Sequence, residues 1–462
     1  MNTMLLALRN LLRNRRRSVT TLLAMIIGSS SILLFGGYSR NITYGLQTSY
    51  VQRSGHLQIQ HKDYFLFGSG NPAAYGIADY ARIVDTVKND PILGPMVTVV
   101  TPTLQVGGIA GNFAAGVSRT VSGTGLVVED QNQMRRWNDY DLPMRVRTQS
   151  LTGTDSDAAV IGNGVARVLQ LCAQLNVLNC PQPPLRAHEG QDAAPADIAA
   201  LSSLEKTDVQ EPTRARIEIL AANVHGAPNV ASLNVVKAEA QGVKEVDDVA
   251  VLMHLTQAQK LIYGNAAPQV TAVVLQLKHT NQIPVATARL EQLLATSFRD
   301  ESLVVQEFTT LNPFYGQSIG MFDAIFSFIS VLIAAIVLFT VSNTMSMAVM
   351  ERTVEIGTLR AVGLRRSGIR RLFVFEGLLL GAIGATLGIA VSLGLALIVN
   401  HSGLTWLPPG RVEPVPLTVR LWGESGLIVS SAAGLILVAV LSAWWPANRA
   451  ARLHVVDALR HV

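Results

Sequence analysis

Four long apolar runs divide the chain, and two of them flank a short charged segment. Residues 324–350 and 377–400 contain no Asp, Glu, Lys, Arg or His. Each run exceeds the roughly 20 apolar residues, rising 1.5 Å per residue, that cross a bilayer core of about 30 Å. Further apolar runs cover 19–38 and 425–448. The pattern predicts transmembrane helices over 19–40, 321–350, 372–400 and 425–448.

Residues 41–320 follow a different pattern, typical of a soluble domain. Alternating apolar and polar positions predict strands at 56–60, 97–106, 217–220 and 270–277. Helical periodicity predicts helices at 80–89, 164–171, 256–263 and 284–297. The predicted fold class is a membrane protein with four transmembrane α-helices and a large α+β domain between the first and second spans.

Residues 172–212 interrupt this domain with many prolines and little periodicity, which predicts an insertion. The chain's two cysteines, Cys172 and Cys180, lie at its start. In an oxidising compartment a disulfide between them would stabilise the fold by about 2–3 kcal/mol, with two reduced, buried thiols as the alternative. Neither cysteine has a His or an acid at ligand spacing, so no metal site is predicted.

Arginine placement predicts how the spans are oriented. Arginines cluster in 1–18, 351–371 and 449–462, whereas every lysine lies between Lys62 and Lys278. Short basic flanks stay in the cytoplasm, so both termini and the 351–371 segment are expected inside, and 41–320 and 401–424 outside. Residues 1–18 read as an amphipathic surface helix or as a basic lead-in to the first span. That span is expected to be an uncleaved anchor.

Composition and motifs mainly exclude some classes of partner and of catalytic function. The net charge is +5, but the basic residues adjoin the spans, where they meet anionic headgroups, so membrane lipid is an expected partner and nucleic acid is not. The chain has no GxxxxGK[ST] motif, so no phosphate-binding P-loop is predicted. It is therefore expected to be non-catalytic, with no cofactor of its own.

The charged segment predicts a compact helix, turn and helix. The second span's helix is expected to continue through 351–362, Gly363 to end it in a left-handed conformation, and Ser367 to cap the next helix. Glu351 and Glu355 are expected to face the segment's own arginines, at 352, 360, 365, 366, 370 and 371. Glu376 and Asp323 are placed at membrane edges, where a charge is tolerated.

Two features predict close packing between spans. Gly377, Gly381, Gly384 and Gly388 are spaced four, three and four residues apart, which leaves one helix face without side chains. Asn343, with Ser342, Thr344 and Ser346, is expected to hydrogen-bond a neighbouring helix.

The residues then show a family resemblance. Glu351-Arg352-Thr353, Glu355-Ile356-Gly357, Arg360-Ala361, Gly363, Arg366, Ile369, Phe373 and Glu376 resemble the cytoplasmic signature of FtsX/MacB/LolC-LolE type ABC transporter permeases. Pro446-Ala447, Arg449-Ala450-Ala451 and Ala458-Leu459-Arg460 resemble the family's tail. Gly55-His56-Leu57-Gln58-Ile59, the Val160 to Arg167 stretch and Asn312-Pro313-Phe314-Tyr315 favour the LolC/LolE-like branch.

The resemblance implies a permease subunit in a bacterial inner membrane. Expected partners are a cytoplasmic ABC ATPase dimer that binds ATP and Mg, a second permease copy or paralogue, and a periplasmic chaperone or adaptor. The leading expectation is transport of a lipoprotein or another lipid-like cargo. Within the family, the alternatives are MacB-like mechanotransmission to an adaptor and FtsX-like signalling. A receptor unrelated to ABC transporters is the remaining option. The implied coupling residues are Glu351, Arg352, Glu355, Gly357, Arg360, Gly363, Arg366 and Arg370, and Pro446 and Arg449 are the C-terminal motif residues.

Overall fold

A computed structural model describes residues 3–13, 15–68, 70–144, 146–178, 180, 215–407 and 411–453. Most of the insertion predicted at 172–212 and the tail motif at 458–460 lie outside these residues. The chain separates into two compact units. One comprises Met1–Gly45, Phe314–Trp406 and Val415–Val462, and the other comprises Leu46–Pro313 and Leu407–Pro414.

The described α-helices, in chain order, are α1 (Thr3–Arg13), α2 (Arg15–Ser54), α3 (Tyr64–Phe67), α4 (Tyr80–Asn89), α5 (Leu93–Met96), α6 (Val128–Met134), α7 (Asn163–Val168), α8 (Cys172–Leu175), α9 (Lys244–Asp247), α10 (Leu255–Tyr263), α11 (Ile283–Ser297), α12 (Phe308–Leu311), α13 (Pro313–Glu351), α14 (Thr353–Ala361), α15 (Arg366–His401) and α16 (Ser425–Arg452). The strands are β1 (Leu57–His61), β2 (Val97–Asn112), β3 (Val117–Leu126), β4 (Ala158–Gly162), β5 (Arg216–Ala222), β6 (Pro228–Glu239), β7 (Ala250–His254), β8 (Ala272–Leu277), β9 (Leu303–Glu307), β10 (Thr405–Trp406) and β11 (Val415–Pro416).

Four helices, α2, α13, α15 and α16, are long and apolar enough to cross a membrane. Two of them run well past the predicted spans, since α2 continues to Ser54 and α13 begins at Pro313. Hydropathy marks where lipid contact ends, whereas a helix continues for as long as its own backbone hydrogen bonds do. The α+β unit accordingly begins at Leu46 and its main segment ends at Pro313, rather than at the predicted 41 and 320.

The glycines of α15 allow two neighbouring helices, rather than one, to approach closely. A Cβ added at Gly377 would lie 2.6 Å from Ala443 Cβ, and one at Gly381 would lie 3.1 Å from Ala439 Cβ, both on α16. A Cβ at Gly384 would lie 2.7 Å from Met25 Cβ, and one at Gly388 would lie 2.5 Å from Ser29 Cβ, both on α2. The glycine stripe therefore joins α15 to α16 at one level and to α2 at the next.

Asn343, predicted to hydrogen-bond a neighbouring helix, lies on the exposed face of α13 in this chain. Its neighbour Thr344 contacts another helix instead, with its hydroxyl 2.9 Å from that of Thr21 on α2. Consecutive helical residues point about 100° apart, so a polar run in the sequence does not show which member faces a partner.

The α+β unit contains a nine-stranded mixed sheet in the order β3-β7-β4-β6-β5-β2-β8-β1-β9. All four predicted strands lie in it, within or overlapping β1, β2, β5 and β8, and the four predicted helices correspond to α4, α7, α10 and α11. The predicted fold class, four spans and a large domain of strands and helices, is confirmed. Cys172 and Cys180 form a disulfide, with their Cα atoms 6.3 Å apart.

His56 gives this unit a testable pH dependence. Its fully buried ring accepts the Leu277 N–H at Nδ1 over 3.0 Å, so only the neutral ring fits. Burial lowers the pKa of His56 to about 4 from 6.5, opposed by the charge of Asp139. The unfolded chain therefore binds the extra proton first, and we expect stability to fall by up to about 1.4 kcal/mol per pH unit as pH drops from 6.5 towards 4.

Amide exchange of β8 in the full chain, corrected for the intrinsic rate, measures this effect at pH 7 and pH 5. His56→Gln retains a hydrogen-bond acceptor but does not titrate, so its exchange should change less between the two pH values. An equal change in both proteins would show that His56 does not control the response.

Candidate functional site

The helix of the second long span ends at Glu351, just before Arg352, so the predicted continuous helix through 351–362 is wrong. α13 ends at Glu351, Arg352 adopts φ −103° and ψ 19°, and α14 begins at Thr353. The Arg352 side chain is buried and donates from Nη1 to Glu376 Oε1 over 3.0 Å and from Nη2 to the Asn10 carbonyl over 3.2 Å. The break thus coincides with an anchored cation.

Glu376 lies in the interior of the helical unit rather than at an exposed membrane edge. It is 2% exposed, and its Oε1 also accepts from Asn10 Nδ2 over 2.7 Å. A buried carboxylate is tolerated when a cation and further donors satisfy it. The local sequence around Asn10 gives no signal for this contact, because its partner lies more than 300 residues away.

The acids of the charged segment pair with the N-terminus, so the prediction that they face the segment's own arginines is wrong. Arg13 donates from Nη2 to both Glu355 oxygens, over 2.6 and 2.8 Å. Arg17 forms a two-pronged ion pair with Glu351, one arm of which is 2.6 Å long. The basic run in the first 18 residues is the available signal, but its position beside a span favours contact with lipid and a role in topology.

Helix α1 explains how those arginines reach the segment. Ala7 is fully buried, and Leu11 packs against the main apolar core of the helical unit. α1 therefore contacts α15 on one face and presents Arg13 beside Glu355. Of the two sequence interpretations, an amphipathic helix and a lead-in, the structure contains a separate amphipathic helix.

The rest of the segment turns and re-enters a helix as follows. Gly363 takes φ +103°, which strongly favours glycine, and ends the α14 turn. The N-cap of α15 is Arg365, so the prediction of Ser367 as the cap is wrong. Arg360 donates from Nη1 to the carbonyl of Leu453, which follows α16. Gly357 is buried in α14.

The remaining predicted residues lie at the ends of α15 and α16. Arg366 is exposed, and the Arg370 guanidinium lies 5.1 Å from the centre of the Trp444 ring. Pro446 is buried inside α16, and Arg449 is exposed one turn later. Within the described ranges there is no group of three His, Cys, Asp or Glu side chains able to hold a metal.

The arrangement leaves an exposed ridge on α14. Val354, Thr358 and Val362 are exposed, with Val362 at 84%, whereas the flanking charges of Glu351 and Glu355 are neutralised. The two residues before α14 hold α15 and α2, since Arg352 pairs with Glu376 and Glu351 pairs with Arg17, while Arg360 of α14 holds the residue after α16. The segment that carries α14 is therefore linked, by the chain or by hydrogen bonds, to α13, α15, α2 and the residue after α16.

Comparison with known proteins gives the class. Residues 325–455 match the family described as FtsX-like permease C-terminal. The chain is 35% identical over 144 residues to the ABC transporter permease YtrF of Bacillus subtilis, covering 29% of this chain and 30% of that protein. It is 27% identical over 244 residues to the lipoprotein-releasing system transmembrane protein LolC of Neisseria meningitidis, covering 51% and 56% respectively.

A third relative is the macrolide export ATP-binding/permease protein MacB of Hyphomonas neptunium, 28% identical over 235 residues, covering 51% of this chain and 34% of that protein. The chain thus spans about half or less of the curated relatives it matches. Residues 325–455 thus contain an FtsX-like permease domain, in a chain with four described helices that are long and apolar enough to cross a membrane. The similarity to MacB, LolC and other ABC transporter permeases confirms the predicted resemblance to the FtsX/MacB/LolC type.

Proposed function

We propose that this chain is the non-catalytic permease subunit of an inner-membrane ABC transporter. A separate cytoplasmic ATPase dimer, which binds ATP and Mg, docks on α14, and its closure moves the extracytoplasmic domain. The observation that supports this most is the exposed ridge of α14 on a base of charge pairs. The similarity of residues 325–455 to FtsX-like permeases supports it independently.

The charge pairs divide naturally into a fixed pair and two adjustable pairs. Arg352 and Glu376 have side chains only 7% and 3% exposed, so separating them would leave a buried charge. Arg13 with Glu355 and Arg17 with Glu351 are half-exposed pairs, which contribute little to stability. In this proposal α14 pivots on the Arg352–Glu376 pair while the two outer pairs exchange partners at low cost.

Lipoprotein or another lipid-like molecule is the proposed cargo, extracted from the outer leaflet by a dimer with a second copy or a paralogue. It rests on the LolC similarity, which extends over half of this chain. MacB-like driving of a periplasmic adaptor is the second candidate, favoured by similarity over an equal share of the chain. Crosslinking from the extracytoplasmic domain in cells distinguishes the two, since it captures lipoproteins in one case and an adaptor in the other.

Replacing Glu355 and Arg360 together with alanine tests the role of α14. We expect ATP hydrolysis by the copurified ATPase to continue while cargo release from proteoliposomes falls about tenfold or more, because a lost charged contact of about 1.4 kcal/mol corresponds to tenfold. Glu245→Ala with Lys260→Ala is the matched control, since it removes one exposed acid and one exposed base from the α+β unit.

A further variant separates docking from internal support. Arg13→Ala leaves α14 unchanged but removes the partner of Glu355. If Arg13→Ala uncouples as strongly as the double variant, the contact with α1 matters and not docking through Glu355. Cargo release at the unmodified rate in the Glu355 and Arg360 variant would refute the role of α14.

A further inference from the structure

One exposed face of α16 changes its chemistry along the helix. Leu437 and Leu441 are 59% and 58% exposed, Trp445 is 66% exposed, and Arg449 and Arg452 follow on the exposed surface. These residues are spaced four, four, four and three apart, so they share one face. The face is apolar, then aromatic, then cationic.

The length of α16 from its start to Trp445 matches the thickness of a bilayer core. Ser425 and Trp445 are separated by 20 helical rises, about 30 Å, which is the thickness of the hydrocarbon core. Trp422, just before the other end of α16, is also exposed. Tryptophans at both ends of a span mark the two interfaces, so Trp445 lies at headgroup depth and Arg449, one turn beyond it, at phosphate depth.

A second cation reaches the same depth from α15. Gly377 of α15 lies against Ala443 of the antiparallel α16. Arg370 is seven residues from that contact and Arg449 is six residues from it, so the two lie at nearly the same level. The Arg370 guanidinium lies 5.1 Å from the Trp444 ring centre, a contact that positions it without neutralising its charge.

These cations differ from the arginines that hold the charged segment. Among the residues that the structure describes, neither Arg370 nor Arg449 has a carboxylate partner, whereas Arg13, Arg17 and Arg352 each have one. Before the opposite end of α16, Arg420 lies 3.4 Å from Glu424. At this end of α16, positive charge that no described carboxylate neutralises therefore lies directly beyond the exposed apolar face.

We propose that Arg370, Trp444, Trp445 and Arg449 form a binding site for an anionic phospholipid. The guanidinium groups take the phosphate, the indole rings lie at the glycerol level, and an acyl chain follows Leu441 and Leu437. An acidic surface of a soluble partner would satisfy the arginines but could not use the apolar part of the face, which lies at membrane depth. With both termini in the cytoplasm, as proposed, this leaflet is the inner one. The chemistry of the site does not depend on that orientation.

Fluorescence quenching by brominated lipids tests the site in the full chain. The chain has five tryptophans, and Trp406→Phe with Trp422→Phe removes the exposed ones elsewhere. This parent is reconstituted in phosphatidylcholine nanodiscs with a minor fraction of either brominated phosphatidylglycerol or brominated phosphatidylcholine. A companion with Trp444→Phe and Trp445→Phe as well supplies the background of Trp137.

We expect the anionic lipid to quench with about tenfold higher apparent affinity, since each arginine near an anionic surface contributes about 1 kcal/mol. Arg370→Gln with Arg449→Gln should abolish the preference. Arg9→Gln with Arg16→Gln, which removes the same charge from exposed positions on α1 and α2, should retain it.

Equal quenching of the parent by both lipids would overturn the proposal, and so would the absence of quenching, which would mean that protein covers this face. A preference for the anionic lipid that survives in the Arg370 and Arg449 variant would also overturn the proposal. So would a variant that keeps the lipid preference but no longer copurifies with an ATPase, because the cations would then serve a protein partner. The assay contains neither ATP nor cargo, so failure of the proposed transport function leaves its result unchanged.

Discussion

Arg352→Met is expected to lower the free energy of unfolding of the full chain by about 3–5 kcal/mol, the cost of leaving a buried charge without its partner. Glu376 would keep only the Asn10 amide, in a site that is 2% exposed. Glu376→Leu should cost a similar amount for the converse reason. Denaturation in mixed micelles, followed by near-ultraviolet circular dichroism, measures both changes.

The double variant Arg352→Met with Glu376→Leu should recover most of the loss, because an apolar pair of similar volume replaces a buried ion pair at little net cost. A double-mutant cycle isolates the interaction. Arg17 and Glu351 provide the matched control, since their side chains are 35% and 46% exposed and the same cycle there should give below about 1 kcal/mol. Equal coupling energies at the two pairs would contradict the structure.

Variants of Arg352 and Glu376 also distinguish structural support of α14 from a role in coupling ATP hydrolysis to transport. If Arg352 and Glu376 only hold the base of α14 in place, the apolar double variant should couple ATP hydrolysis to cargo release nearly as well as the unmodified chain. If α14 must pivot on a charged pair, stability returns but coupling does not. The two measurements on one variant therefore test the pivot assumed in the proposed mechanism.

Gly388→Leu is expected to have the second large effect, through the contact of α15 with α2. A single added Cβ at this position would already lie 2.5 Å from Ser29 Cβ and 2.6 Å from its Oγ, so the two helices would have to separate. Overpacking a close-packed interior costs about 1–3 kcal/mol, and separation would also break the bond from Ser30 Oγ to the Gly388 carbonyl. The apparent melting temperature of the purified chain should fall by several degrees.

Gly394→Leu is the matched control on the same helix. A Cβ at Gly394 meets no atom within 4 Å, so the same substitution adds the same side chain without a contact. We expect its melting temperature to stay close to that of the unmodified chain. A fall of equal size in both variants would show that the loss of glycine, and not the approach of α2, sets the stability.

The sequence predicts well whatever depends on neighbouring residues. Hydropathy alone located four membrane helices, because a bilayer imposes length and apolarity on any span. Alternation located β2 and β8, whose apolar positions pack within one unit. It missed β3, where two glycines and several hydroxyl residues leave little apolar signal although Val121 and Leu126 are buried. That strand owes its existence to pairing with β2 and β7.

The partners of the charged segment show the limit of such reasoning. Composition and spacing established that Glu351, Glu355 and the nearby arginines form a charged interruption between two apolar runs. They predicted local pairs, since only residues three or four apart can be paired from sequence. Folding places α1 beside α15 instead, so Arg13, Arg17 and Asn10 take those contacts. Periodicity therefore decided the number and kind of elements, whereas the choice of ionic partner depended on which helices pack together, a long-range outcome that no local pattern encodes.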